Sequence, residues 1–170
     1  MSTITTDVTD LLVGVIALNG GEMIGKTRLQ KTFFLLDQCG MNSGAEFDYH
    51  NFGPFSADVA TAADDAEAEG RLSAELRPGF HAEPYTRYRT DASPKAFIGG
   101  LSRERAAKKL EVMRGYSAIE LEIAATIVYL RQNGYEHDAE GETRRRKPTK
   151  ATKDRVDRAL RLIRELSLSA

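Results

Sequence analysis

The sequence predicts a mainly α, α+β chain: a winged-helix-like N-terminal part with a small β-hairpin wing, followed by a C-terminal helical part. Three observations lead there. Apolar residues recur at helical spacing over most of the chain; only residues 72–90 hold two short β-like runs about a turn; and the order helix–helix–helix–hairpin–helices contains no internal repeat. At 170 residues, 41% hydrophobic, the chain is long enough to bury a core without staples.

The elements follow in order. Val8, Leu11, Leu12, Val15 and Ile16 form a helix stripe over residues 7–19, with Thr6 or Asp7 as cap and Asn19-Gly20-Gly21 as stop. Residues 26–38 read as a second helix with Leu29, Phe33 and Leu36 on one side. Residues 40–56 are loop-like, with Phe47, Tyr49 and Asn51 alternating as in a short strand and Gly53-Pro54 as a turn. Ser56 caps the Ala-rich, acidic helix Ala57–Glu69, which Gly70 ends. Leu72–Leu76 and Tyr85–Thr90 then form the hairpin around Arg77-Pro78-Gly79.

From Ser93 the pattern is helical again. Pro94 is expected to start a helix that breaks at Gly99-Gly100, and Ser102 to cap a further one. Ser117 and Glu120 match a capping box, and the helix behind them, through Leu130, is apolar nearly all round, which predicts a place at the core's centre. Residues 132–152 contain no Leu, Ile, Val or Phe and read as an exposed basic linker. A last amphipathic helix over 153–166 carries Val156, Ala159, Leu160, Ile163 and Leu166. The organisation expected is therefore a winged-helix-like part over 1–92, core helices over 93–131, the linker over 132–152 and the amphipathic helix over 153–170.

Composition excludes several chemistries. A single cysteine, Cys39, rules out a disulfide framework and a Cys-based zinc site, and three scattered histidines give no metal-ligand spacing, so no metal and no cofactor are expected. No apolar run is long enough to span a bilayer, and no base precedes the first apolar run as a secretory signal would require, so no membrane and a cytoplasmic location are expected. The net charge of −1 hides an uneven distribution. Residues 46–75 hold eight acids and one base, while residues 142–165 hold ten bases and four acids. Such asymmetry suits self-complementarity or two partner surfaces of opposite sign.

Gly20-Gly-Glu-Met-Ile-Gly25-Lys26-Thr27 fits the phosphate-binding loop pattern G-x-x-x-x-G-K-[ST]. The run before it has a helical period rather than that of a buried strand, and no strand series follows to build a parallel sheet. A P-loop NTPase is thus the weakest of three functional readings.

Two motifs point elsewhere. Gly25-Lys-Thr-Arg-Leu-Gln-Lys31 leads into Phe33-Phe-Leu-Leu36, and Phe47-Asp-Tyr-His-Asn-Phe-Gly-Pro-Phe-Ser56 follows. Behind them come Glu69-Gly70-Arg71-Leu72, the wing Tyr85-Thr-Arg-Tyr-Arg-Thr90, and Glu120-Leu-Glu-Ile-Ala-Ala-Thr-Ile-Val-Tyr-Leu130. In these residues, from about 8 to 166, the chain resembles the YwgA-like proteins and their relatives in the Panacea domain group. The pairing of the two motifs carries the likeness; each alone is weak. The resemblance implies that the first motif opens a helix of a winged-helix-like fold. It also implies kinship with antitoxins that neutralise unrelated toxins and with adaptors that deliver a toxin to a protease, and it carries over no catalytic residue.

The leading expectation is accordingly a non-enzymatic protein-binding module of antitoxin or adaptor type, its partner a toxin, a protease substrate or a second copy. The expected contact residues are Lys26, Arg28 and Lys31 at the start of the second helix, Tyr49, His50, Phe52 and Phe55 in the loop, and Asp58 and Asp65 on the acidic helix. Lys26 and Arg28 sit where the helix dipole disfavours cations, so they require neutralisation, either by the acidic helix or by an acidic partner or phosphate. The alternative is a DNA-binding regulator using Arg87 and Arg89 of the wing with Arg144, Arg145, Arg146 and Lys147. Against it, the helix before the wing carries five acids and no base, and would be repelled by phosphates.

Overall fold

The computed structural model describes residues 7–79 and 83–168. Helix α1 (Val8–Leu18) begins where the Asp7 carboxylate accepts the Thr9 N–H at 3.1 Å. Its wide apolar stripe is buried, with Leu12, Val15 and Ile16 inaccessible to solvent. After the glycine turn the chain forms a strand that the sequence pattern does not reveal, β1 (Glu22–Ile24), and then α2 (Lys26–Leu36), which runs into a wide turn over Asp37–Met41.

The second motif is a hairpin, β2 (Asp48–His50) with β3 (Gly53–Phe55). Gly53 and Pro54 therefore lie in a strand, and the turn falls at Asn51-Phe52, two residues earlier than expected. Gly53 has φ +89°, and a Cβ there would come within 2.5 Å of the Thr126 hydroxyl, so only glycine lets the hairpin lie this close to the helix beneath it. Ser56 then caps α3 (Ala57–Ala68), accepting from the Val59 N–H at 3.2 Å.

Strands β4 (Ser73–Arg77) and β5 (Tyr85–Arg89) pair antiparallel, as the hairpin reading of residues 72–90 expects, and β1 adds to the far side of β5. The result is a three-stranded antiparallel sheet in the order β1–β5–β4. Its register puts Met23, Tyr88 and Ala74 abreast on the core side, while Glu22, Arg89 and Ser73 share the outer side. The expected helix from Pro94 does not form. Residues 91–96 have no regular structure, and a second small hairpin, β6 (Phe97–Ile98) with β7 (Leu101–Ser102), turns at Gly99-Gly100. Gly99 sits at φ +57°, and a Cβ there would lie 2.1 Å from the Met41 carbonyl oxygen, which seats this hairpin on the turn that ends α2.

Helix α4 (Arg103–Arg114) is capped by Ser102, and α5 (Ala118–Gln132) by the capping box of Ser117 and Glu120. As its composition demands, α5 is the core's centre: it packs on α2, α6, α7 and β3, and Leu121, Ile123, Ala124, Ala125 and Ile127 are fully buried. Residues 132–152 are not an exposed linker. They contain α6 (Ala139–Arg146), whose Ala139 and Thr143, one turn apart, are buried, and Lys147 and Ala151 beyond it are buried as well. Glu142 supports that helix by pairing with Arg145 at 2.9 Å and Arg146 at 2.8 Å, the neighbours three and four residues on. Helix α7 (Lys153–Glu165) closes the core with Val156, Ala159, Leu162 and Ile163. Among the described residues no helix is long and apolar enough to cross a membrane. The described residues are thus mainly helical with three small antiparallel sheets.

Candidate contact surface

The two motifs meet in space, and they meet through buried polar groups. The Gln30 side chain accepts the Ser56 N–H at 2.9 Å and donates to the Ser56 carbonyl at 3.0 Å, so one amide ties the middle of α2 to the start of α3. The Lys31 ammonium donates to the Pro54 carbonyl at 2.7 Å and is 1% exposed. Arg28 donates to the Met113 and Tyr116 carbonyls behind the C-terminal turn of α4. Burial lowers the Arg28 pKa. Two of the three expected contact cations on α2 are therefore internal fasteners, and neither pairs with the acidic helix. Lys26 alone stays at the surface.

Lys31 belongs to a charge cluster that composition does not reveal. Glu122, 2% exposed in the middle of the apolar α5, receives Lys147 at 2.9 Å and Lys150 at 3.2 Å. Lys147 also donates to the Asn51 carbonyl at 3.3 Å, and the Lys150 ammonium lies 4.5 Å from the centre of the Phe52 ring. Three lysines thus surround one carboxylate and hold the β2–β3 hairpin from beneath. Burial brings the Lys31 pKa down from 10.5 to about 8; Glu122 opposes this shift, and the Lys147 and Lys150 ammonium groups add to it.

The aromatic residues of the hairpin divide by strand face. The Tyr49 ring leans on Tyr129, centroids 6.1 Å apart, under the Arg146 guanidinium at 4.6 Å, and so seats the hairpin on α5 and α6. His50 stacks on Phe55 at 4.7 Å, with His50 exposed, and Phe52 at the tip is 54% exposed. Of the four, His50 and Phe52 face solvent most fully.

Helix α3 behaves oppositely to α2. It buries Val59, Ala62, Ala63 and Ala66 against α1 and leaves Asp58, Asp64, Asp65, Glu67 and Glu69 exposed. Asp58 accepts the Glu46 N–H at 3.0 Å and Glu67 the Ala74 N–H at 3.2 Å, while Glu69 reaches Arg71 at 3.5 Å. Asp64 and Asp65 have no ion-pair partner among the described residues. Beneath them burial raises the Tyr88 pKa to about 12, with the charges of Asp64 and Glu67 adding to the rise.

The residues expected to touch nucleic acid are mostly neutralised by the protein itself. Arg87 pairs with Glu22, Arg145 with Asp138 and Glu142, Arg146 with Glu142 while lying over Tyr49 and Tyr135, and Lys147 with Glu122. Arg89 and Arg144 remain exposed. The Gly20–Thr27 string is no phosphate cradle: the Gly21 N–H donates to the Ile16 carbonyl, the Gly25 N–H donates to the Thr86 carbonyl at 2.8 Å, and Glu22–Ile24 is strand β1. Among the described residues no group of three or more His, Cys, Asp or Glu stands close enough to hold a metal ion. Sequence reasoning missed Gln30 and Glu122; the signal for Glu122 was a second acid, beyond the capping Glu120, in a helix otherwise apolar nearly all round. Comparison with known proteins finds no matching family model and no matching curated protein.

Proposed function

We infer that the chain is a non-enzymatic protein-binding module of antitoxin or adaptor type, acting in the cytoplasm, with a winged-helix-like N-terminal part. The order α1–β1–α2–β2–β3–α3–β4–β5 with a β1–β5–β4 antiparallel sheet supports the winged-helix-like reading. So does the way the paired motifs serve as its internal ties. The observation that carries the functional reading is the exposed face of α3, the helix before the wing. Its side chains Asp58, Asp64 and Asp65 face water with no cation of the chain's described residues drawn against them. Against duplex phosphates such a face is repulsive, whereas a basic face of a protein gains both encounter rate and register from it. The exposed His50 and Phe52 of the neighbouring hairpin supply apolar contact beside that charge.

The test is affinity capture of the tagged protein from its host at moderate salt, with and without nuclease. A single stoichiometric protein that survives nuclease supports the module. DNA that co-purifies, with protein partners lost on nuclease treatment, contradicts it and favours the regulator reading through Arg89 and Arg144. ATP binding abolished by Lys26→Ala would instead restore the NTPase.

A further inference from the structure

A recess of about 660 Å³ opens between the middle of α1, the corner joining α3 to β4, and the end of β5 with the loop that follows it. It lies apart from the hairpin and the α2 cations, and its volume is in the range of small-molecule sites. Val13, Gly14 and Leu72 form the apolar part of its lining.

The charged lining is Arg71, Arg89, Lys95 and a single acid, Asp91. Arg71 is already neutralised by Asp10 at 2.7 Å and Glu69 at 3.5 Å. Arg89 is not: its cross-strand neighbour Glu22 turns its carboxylate to Arg87 instead. Lys95 likewise has no ion-pair partner among the described residues, yet its backbone is fixed. The Arg103 guanidinium donates to the carbonyls of Pro94 at 2.9 Å and Lys95 at 2.8 Å, and the Arg103 N–H donates to Ala96 at 2.8 Å. A loop without regular structure is thereby held in one place, which lowers the ordering cost of binding. Ser73 and Ser93 add hydroxyls that make no other hydrogen bond among the described residues.

Among the described residues, two cations without an ion-pair partner, one a guanidinium with a planar donor fork, and two hydroxyls without another hydrogen bond stand around a concave surface and match the oxygens of a phosphate group. We propose that this recess binds a phosphate-bearing small molecule, held by Arg89 and Lys95 with Ser73 and Ser93 as further donors, and opposed by the Asp91 carboxylate.

The test is an amide-resolved NMR titration with AMP, inorganic phosphate and adenosine. AMP and inorganic phosphate should move the amides of Gly14, Ser73 and Ser93, and adenosine should not. Arg89→Ala and Lys95→Ala should each weaken AMP binding by about tenfold or more, the loss of one charge-assisted contact. Asp91→Asn should tighten it. All three side chains are exposed, so unchanged melting of the variants separates lost binding from lost folding. The proposal is overturned if neither phosphate compound shifts these amides, if adenosine matches AMP, or if the three variants leave the affinity where it was.

Discussion

Helices α2 and α3 are neighbours of similar length with opposite use of charge. On α2 the cations Arg28 and Lys31 turn inward, to backbone carbonyls and to the neighbourhood of a buried carboxylate. On α3 the acids stay outside, and Asp64 and Asp65 meet no cation among the described residues. The basic run 144–150 repeats the lesson of α2, because Arg145, Arg146, Lys147 and Lys150 all close on acids of the same chain. A local excess of charge therefore shows little about what a partner can reach. What decides is whether the fold supplies a counter-charge, and here it does so for most of the bases of the 144–150 run and for few of the acids on α3.

The comparison breaks most visibly at Glu122. Glu122→Gln removes the carboxylate that Lys147 and Lys150 pair with beside Lys31, and urea unfolding should show a loss of about 3–5 kcal/mol, as for other buried pairs stripped of one partner. Gln30→Ala comes next. It leaves the buried Ser56 N–H without its partner, while the Ser56 carbonyl keeps the Ala60 N–H at 3.2 Å, and should cost about 1–3 kcal/mol in the same measurement.

The pH dependence sharpens the contrast further. The folded pKa of Lys31, about 8, lies below its ordinary 10.5, so between those values the unfolded chain binds the extra proton. Its unfavourable contribution is complete below pH about 8 and fades as the pH rises towards the ordinary value. Unfolding free energy should therefore carry a term that climbs over that window, and the climb should vanish in Lys31→Met. Arg146→Ala, which removes one ion pair to Glu142 and the contact with the Tyr49 ring, should cost about 1 kcal/mol. The smallest effect belongs to α3: Asp64→Lys with Asp65→Lys should change stability by no more than about 0.5 kcal/mol, as befits exposed positions.

The helices with a strong apolar period, α1, α2, α3, α4, α5 and α7, were legible in the sequence, as was the β4–β5 pair, because each carries its own cap, stripe or alternation. What escaped was structure fixed by contact with other elements. Strand β1 is three residues long, and pairing with β5 makes it a strand. Helix α6 contains no large aliphatic residue; Ala139 and Thr143 bury a narrow face, and Glu142 pairs along it. The stretch before Ser102 looked like a helix opened by Pro94, but the Arg103 guanidinium holds the carbonyls of Pro94 and Lys95 in an extended loop. The site was less legible than the fold for a related reason. Spacing places Lys31 and Glu122 on their helices, but says nothing of their convergence with Lys147 under one hairpin.

The most direct test of the account compares two charge reversals in quantitative capture of the host partner. Asp64→Lys with Asp65→Lys should abolish partner recovery, while Arg89→Glu with Arg144→Glu, which reverses two exposed bases, should leave it intact. Retention by the first variant and loss by the second would place the contact on the basic surface and contradict the account.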